Sequence, residues 1–202
     1  GEGMISGKIL LNLDSEDDAE IFVGCAGGVD TTCTFSYKRS FAPTDFHYFR
    51  FDISGGCGGH SGGDIHLGRA NANKLLARFL YSMSIKHEIA LVEIDGGNLR
   101  NAIPRAAHAV FGIDGARKED VRIAFNLFAA EIENEYSGLE PNLKLDLQSV
   151  DRPEYSIDYN TSINIIRSLY SAPHGVISMS RDLEGLVETS TNLASVKMLD
   201  GE

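Results

Sequence analysis

Apolar and polar residues alternate along several short stretches of the chain, the pattern of a β-strand with one face against the core. Runs in which nearly every residue is apolar indicate strands that are buried more completely. The alternating stretches are TCTFSY (32–37), FRFDIS (49–54) and NLKLDLQSV (142–150), and further strands are predicted at KILLNL (8–13), IALVEI (89–94), AAHAVFGI (106–113), GVISMS (175–180) and GLVETSTNLASVKM (185–198).

Between these strands the spacing of apolar residues lengthens to that of a helix. Three helices are predicted, one carrying Leu75, Leu76, Phe79, Leu80 and Met83, one carrying Val121, Phe125, Phe128 and Ile132, and one carrying Ile163, Ile166 and Leu169 before Pro173. Strands with alternating patterns belong to antiparallel sheets, and helices between them suggest split β-α-β units. The sequence therefore predicts an α+β fold, a ferredoxin-like antiparallel sheet with helices packed on one face, in a doubled split β-α-β arrangement.

Composition limits the classes of partner. The 202 residues carry a net charge of -11, with 29 acidic and 18 basic side chains, which argues against binding to nucleic acid. No apolar run approaches the roughly 18 residues of a membrane span, and the N-terminus lacks a signal-peptide pattern. We therefore expect a cytoplasmic protein with no membrane partner. Cys25, Cys33 and Cys57 fit neither a paired zinc motif nor a disulfide framework, so buried or semi-buried free thiols are expected.

One histidine lies inside a glycine run, in GGCGGHSGGDIH (55–66). The loop could cradle a phosphate, but it lacks the P-loop pattern and contains no Lys or Arg before Arg69. His60 could also have no role in a flexible loop, or it could be a functional group that the glycines allow to reach outwards. The pattern alone leaves these interpretations open.

Two more polar residues have alternative interpretations. Asp14 ends the apolar run KILLNL, where it is either a rigidly held metal ligand or the first residue of a solvated acidic turn. Asn101, in GGNLRNAIPR, is either a substrate-binding amide or a turn residue before Pro104. The remaining histidines, among them His66 and His174, are assigned no role.

Several segments together resemble a known family. LLNLDSEDDAEIFVGCAGGVD, GGHSGGDIHLGRANANKLLARFL, IDGGNLRNAIPRAAHAV, SAPHGVISMS and GLVETSTNLASVK follow the order and register of the bacterial aminoacyl-histidine dipeptidases. These Xaa-His dipeptidases, or peptidase D, are a branch of the co-catalytic zinc peptidases. The resemblance extends over essentially the whole chain.

The resemblance implies specific roles. In this family a catalytic domain holds two zinc ions and a lid domain closes over the dipeptide substrate. Asp14 matches a zinc ligand, His60 matches the lid histidine that stabilises the oxyanion, and Asn101 matches a substrate-binding asparagine. Residues 1–23 would then end a catalytic-domain segment, and residues 24–202 would form the lid, truncated at its C-terminal hairpin.

The sequence also departs from the family pattern. The remaining zinc ligands and the Glu-Glu pair that supplies the general base have no counterpart here, so the isolated chain is expected to bind no metal tightly and to be inactive. The full-length enzyme is expected to hydrolyse Xaa-His dipeptides such as β-alanyl-histidine. Its expected partners are the dipeptide, the rest of the catalytic domain and a second copy bound through the lid sheet. The alternative is a ligand-sensing or dimerisation module without catalytic activity.

Overall fold

The computed structural model describes residues 7–9, 11 and 27–199. The chain divides into two compact units, Gly1–Thr32 and Cys33–Glu202. Asp14 and residues 10, 12 and 13 of the predicted strand at 8–13 lie outside the described residues. Within the second unit the strands are β1 Arg39–Phe41, β2 Phe46–Ser54, β3 Ala90–Gly96, β4 Ala107–Asp114, β5 Lys144–Val150, β6 Tyr155–Ile157, β7 Gly175–Met179 and β8 Val187–Thr191, and the helices are α1 Ala72–Ser84, α2 Lys118–Glu135 and α3 Tyr159–Ser171.

The central sheet has four antiparallel strands in the order β3-β4-β2-β5. Along the chain these strands and their helices run β2-α1-β3-β4-α2-β5, which is the ferredoxin-like β-α-β-β-α-β order. The predicted α+β fold is therefore confirmed. Two short antiparallel pairs, β1 with β6 and β7 with β8, accompany the sheet.

The core lies between one face of the sheet and the helices. Phe49, Phe51 and Ile53 of β2 are all buried, as their alternation with Arg50 and Asp52 predicts. The ring of Phe51 meets that of Phe79 in α1 edge to face at 5.0 Å. Burying a side chain of this size contributes about 1.5–3 kcal/mol. On the other face, Arg50 and Asp52 form an ion pair at 2.8 Å, which keeps that face polar.

Local contacts fix the ends of the helices. Asn71 caps α1, because its side chain accepts a hydrogen bond from the amide of Lys74. The ammonium group of Lys74 in turn donates to the carbonyls of Leu169, Tyr170 and Ala172 at the C-terminal end of α3. Those carbonyls have no partner within the helix, so the lysine joins α1 to α3.

The prediction of a strand at TCTFSY is wrong. Residues 32–38 form no regular element, although Tyr37 is buried and its hydroxyl donates to the carbonyl of Leu199 at 2.9 Å. Of the three alternating apolar residues only Tyr37 is buried, Phe35 is half-buried and Cys33 is exposed, so the alternation corresponds to partial burial at one end of the stretch. The last predicted strand is also too long, since β8 ends at Thr191 and only Val196 bridges back to Gly96 of β3.

Candidate active site

The glycine-rich loop continues the pairing of β2 with β4 beyond the end of both strands. The amide of Gly56 donates to the carbonyl of Arg105 at 3.1 Å, and the amide of Ile103 donates to the carbonyl of Gly59 at 2.9 Å. His60 then forms an isolated antiparallel bridge with Ala102. The sheet thus carries His60 on a hydrogen-bonded extension beyond the ends of its two central strands.

The ring of His60 is exposed and oriented by its own loop. Its Nδ1 accepts hydrogen bonds from the amides of Gly62 and Gly63, both at 3.1 Å. Because Nδ1 acts as an acceptor, the neutral ring carries its proton on Nε2. Within the described part of the chain no residue hydrogen-bonds Nε2, so this N–H can donate to a ligand.

The glycines let the backbone pack closely. Gly59 has φ 139°, and a Cβ there would lie 2.7 Å from Oδ2 of Asp64 and 2.6 Å from Nη1 of Arg69. That carboxylate accepts the His60 amide at 2.8 Å, and the guanidinium group of Arg69 donates to the carbonyl of Gly58 at 2.7 Å. The loop is therefore tied down at several points although it is rich in glycine.

The same hydrogen bonds disfavour the phosphate interpretation. The amide of Ser61 donates to the carbonyl of Asn101 and that of Asp64 to the carbonyl of His60, both at 2.9 Å. The amides of His60, Gly62 and Gly63 are also engaged within the loop. A phosphate would have to displace these bonds to be cradled by the loop.

Asn101 lies directly beside His60. Its backbone carbonyl accepts the Ser61 amide, and its side chain is exposed. The next carbonyl, that of Ala102, accepts a hydrogen bond from the side chain of Asn192 at 2.8 Å. The structure thus brings together two of the three residues singled out from the sequence, and the third, Asp14, lies outside the described residues.

Sequence reasoning missed the residues that hold this arrangement. Glu140, in the connection between α2 and β5, is a buried carboxylate that binds backbone amides of the loop. Asn192 supports the Asn101 segment from the other side. Glu140 lies in SGLEPN, which has the composition of an ordinary surface turn, and Asn192 lies in the stretch predicted as a strand, where no role was assigned to it.

His174 is less ordinary than its sequence context indicates. Its Nδ1 lies 3.1 Å from the side-chain nitrogen of Asn71, the residue that caps α1. Burial, with a smaller contribution from the charge of Lys74, lowers the pKa of His174 below its usual value. The ring is therefore held neutral as an acceptor near the start of the β7–β8 hairpin.

The described residues do not fit the zinc site of the family. Among them no three His, Cys, Asp or Glu side chains come close enough to hold a metal ion. Zinc usually needs at least three protein ligands.

Comparison with known proteins places this geometry in a class of peptidase domains. Residues 52–140, which hold most of the sheet and both His60 and Asn101, match the family model of a peptidase dimerisation domain. Over 196 residues, 97% of this chain, the sequence is 39% identical to the cytosol non-specific dipeptidase of Escherichia coli (strain K12). The crystal structure of the aminoacylhistidine dipeptidase from Vibrio alginolyticus matches 83% of this chain with a TM-score of 0.79 and 33% identity.

These similarities confirm the resemblance to the aminoacyl-histidine dipeptidases, over a part that includes a peptidase dimerisation domain. The chain spans 40% of the length of the Escherichia coli protein and 34% of the Vibrio alginolyticus chain. Within the described residues, no helix is long and apolar enough to cross a membrane.

Proposed function

We propose that this chain is the lid region of a dipeptidase and that it supplies two groups to the active site of the full-length enzyme. His60 stabilises the oxyanion that forms at the scissile carbonyl, and Asn101 binds the substrate beside it. The observation that carries this proposal is the orientation of His60, whose Nδ1 accepts two loop amides and whose Nε2–H therefore faces outwards as a donor.

A donor that is already oriented is well suited to catalysis. It stabilises developing negative charge without reorganising during the reaction. Such a donor therefore lowers the activation free energy more than a mobile donor in water does. The Asn101 amide can bond a carboxylate or an oxyanion without bringing a charge of its own. The nucleophile and the proton transfers would come from groups beyond the described residues.

The remaining features of the proposal rest on the resemblance. They are two zinc ions in the full-length enzyme, Asp14 as a zinc ligand, and a boundary between catalytic segment and lid near residue 23. The relatives are named an aminoacylhistidine dipeptidase and a cytosol non-specific dipeptidase. We accordingly propose dipeptides as the substrate class, with Xaa-His dipeptides such as β-alanyl-histidine among them, and a cytosolic location.

A homodimer is the proposed assembly, because residues 52–140 match a peptidase dimerisation domain. The outer edge of β5 pairs with no other strand among the described residues. On α2, Ile123 and Leu127 are 60% and 63% exposed and line a groove with Met83 and His87 at the end of α1. We propose that a second copy of the chain covers this face of α2 and extends to the edge of β5.

The test is dipeptide hydrolysis by the full-length enzyme, comparing His60→Ala with His66→Ala at matched metal content. His66 is an exposed histidine of the same glycine-rich segment without an assigned role, so it controls for loss of any loop imidazole. Removing an oxyanion donor costs on the order of a hundred- to a thousandfold in turnover. We expect a loss of that size for His60→Ala and little change for His66→Ala.

Two results would count against the proposal. Equal activities of the two variants would remove the role of His60 while leaving the lid assignment in place. A full-length protein that cleaves no member of a dipeptide panel would favour the alternative, a sensing or dimerisation module.

A further inference from the structure

Glu140 is a buried carboxylate away from the two proposed substrate-contacting residues. Glu140 is only 7% exposed and lies in the connection between α2 and β5. Burying a carboxylate is costly unless hydrogen bonds replace its water. The partners it has acquired therefore indicate what the residue stabilises.

The connection between β2 and α1, residues 55–71, carries His60 and is called the His60 loop here. Each oxygen of the Glu140 carboxylate binds one end of this loop. Oε2 accepts the amide of Cys57 at 2.7 Å, and Oε1 accepts the amide of Ala70 at 2.8 Å. Cys57 precedes His60 by three residues, and Ala70 directly precedes Asn71, the cap of α1. Hydrogen bonds to an ionised acceptor are short and about twice as strong as neutral ones. One side chain thus closes the loop at both of its ends.

The carboxylate is itself held in place. The backbone amide of Glu140 donates to the carbonyl of Tyr136 at 3.1 Å, and its carbonyl accepts the amide of Leu143 at 3.2 Å. The residue is therefore fixed to the end of α2 on one side and to the start of β5 on the other. Within the described part of the chain no Lys, Arg or His forms an ion pair with Glu140. Its partners are the two backbone amides and the neighbouring thiol of Cys57, whose pKa is raised chiefly by its hydrogen bond with Glu140.

We propose that Glu140 is a positioning residue that clamps the loop so that the Nε2–H of His60 points at the reacting carbonyl. The inference rests on the proposed function, because it acts through His60. Glutamine at this position keeps one acceptor oxygen, but its NH₂ group would face one of the two amide donors. Glu140→Gln should therefore release one end of the loop with little change in side-chain volume.

The expected kinetic effect falls on turnover. Displacement of a catalytic group by about 1 Å can cost on the order of a hundredfold. We expect Glu140→Gln to lower kcat about ten- to a hundredfold in the full-length enzyme with little change in KM, because the oxyanion forms only on the way to the transition state. Ser162→Ala is the control, since it removes another buried hydrogen bond, 3.2 Å to the carbonyl of Ile157, far from the loop in sequence. It should leave kcat unchanged.

A double-mutant cycle separates positioning from general destabilisation. If Glu140 acts through His60, Glu140→Gln should cost kcat less than about threefold once His60 is already alanine. An equal loss of kcat with and without His60 would overturn the proposal. Glu140→Asp, which keeps the charge on a shorter side chain, takes the place of the glutamine variant in the cycle if the latter does not fold.

Hydrogen–deuterium exchange of the full-length protein tests the clamp without activity. The amides of residues 57–70 should exchange faster in Glu140→Gln than in the unsubstituted protein. Their exchange rates in Ser162→Ala should equal those of the unsubstituted protein. Unchanged exchange in Glu140→Gln would overturn the clamp. A parent protein that hydrolyses no dipeptide overturns the proposed function instead, and faster exchange in the loop would still support the clamp.

Discussion

Gly62 is the residue at which an added methyl group would press on the proposed oxyanion donor. A Cβ there would lie 3.3 Å from both Cε1 and Nδ1 of His60, whereas one at Gly63 would lie at an ordinary 3.9 Å from Nδ1. We expect Gly62→Ala to lower kcat about tenfold, because a shift of a fraction of an ångström misdirects the donor. Gly63→Ala is the matched control and should stay within about twofold. Steady-state kinetics of both variants checks this, and similar values for the two would contradict it.

At this scale the sequence predicts the exposed groups better than their supports. His60 and Asn101 were found through a resemblance, and the structure places them side by side. Glu140 could not be found in the same way, because it binds backbone amides 70 and 83 residues away along the chain. Backbone amides carry no side-chain signature, so a sequence does not reveal which carboxylate serves them.

The contact of His174 with Asn71 joins the N-terminal end of α1 to the connection before β7. The pKa of this histidine is lowered below 6.5, chiefly by burial, so the unfolded chain takes up its proton at a higher pH than the folded chain. Stability is therefore lost as the pH falls from about 6.5 towards the lower pKa of the folded state. We expect the free energy of unfolding to fall less steeply over that range in His174→Asn.

Urea unfolding at pH 7.5 and 5.5 measures this difference. Some slope should remain in the variant, because burial also lowers the pKa of His47. A variant whose unfolding free energy depends on pH as strongly as that of the unsubstituted protein would show that His174 does not contribute.

Among the elements, length decides which were predictable. α1 and the nine-residue β2 show several periods of their pattern, and both were predicted. β1 and β6 have three residues each, too few to show a period, and both were missed. TCTFSY failed for a different reason, since its residues alternate in type but no strand of the described residues pairs with it. Pairing depends on a distant segment, and periodicity reports only local burial.

At the scale of the whole molecule, α2 presents an apolar surface suited to a second copy. Its Leu127 is 63% exposed beside Met83 and His87 at the end of α1, and Leu183 in the β7–β8 connection is 60% exposed. We expect Leu127→Glu to convert a dimer into a monomer, because a charge in a buried apolar interface is costly to desolvate. Leu183→Glu should leave the dimer intact.

Sedimentation analysis of the full-length protein at several concentrations checks this expectation. If Leu183→Glu dissociates the dimer and Leu127→Glu does not, the interface lies at the β7–β8 hairpin instead. A dimer that survives Leu127→Glu would exclude this face of α2 as its centre.

The two amides that bind Nδ1 of His60 have a consequence for the enzyme as a whole. A neutral imidazole has one lone pair in its ring plane, and here that lone pair is already occupied. The histidine can therefore give a hydrogen bond through Nε2 while its acceptor nitrogen stays engaged within its own loop. Under the proposed function, the two domains would then have separate tasks. The lid would stabilise the negative charge of the oxyanion, and the catalytic domain would carry out the proton transfers.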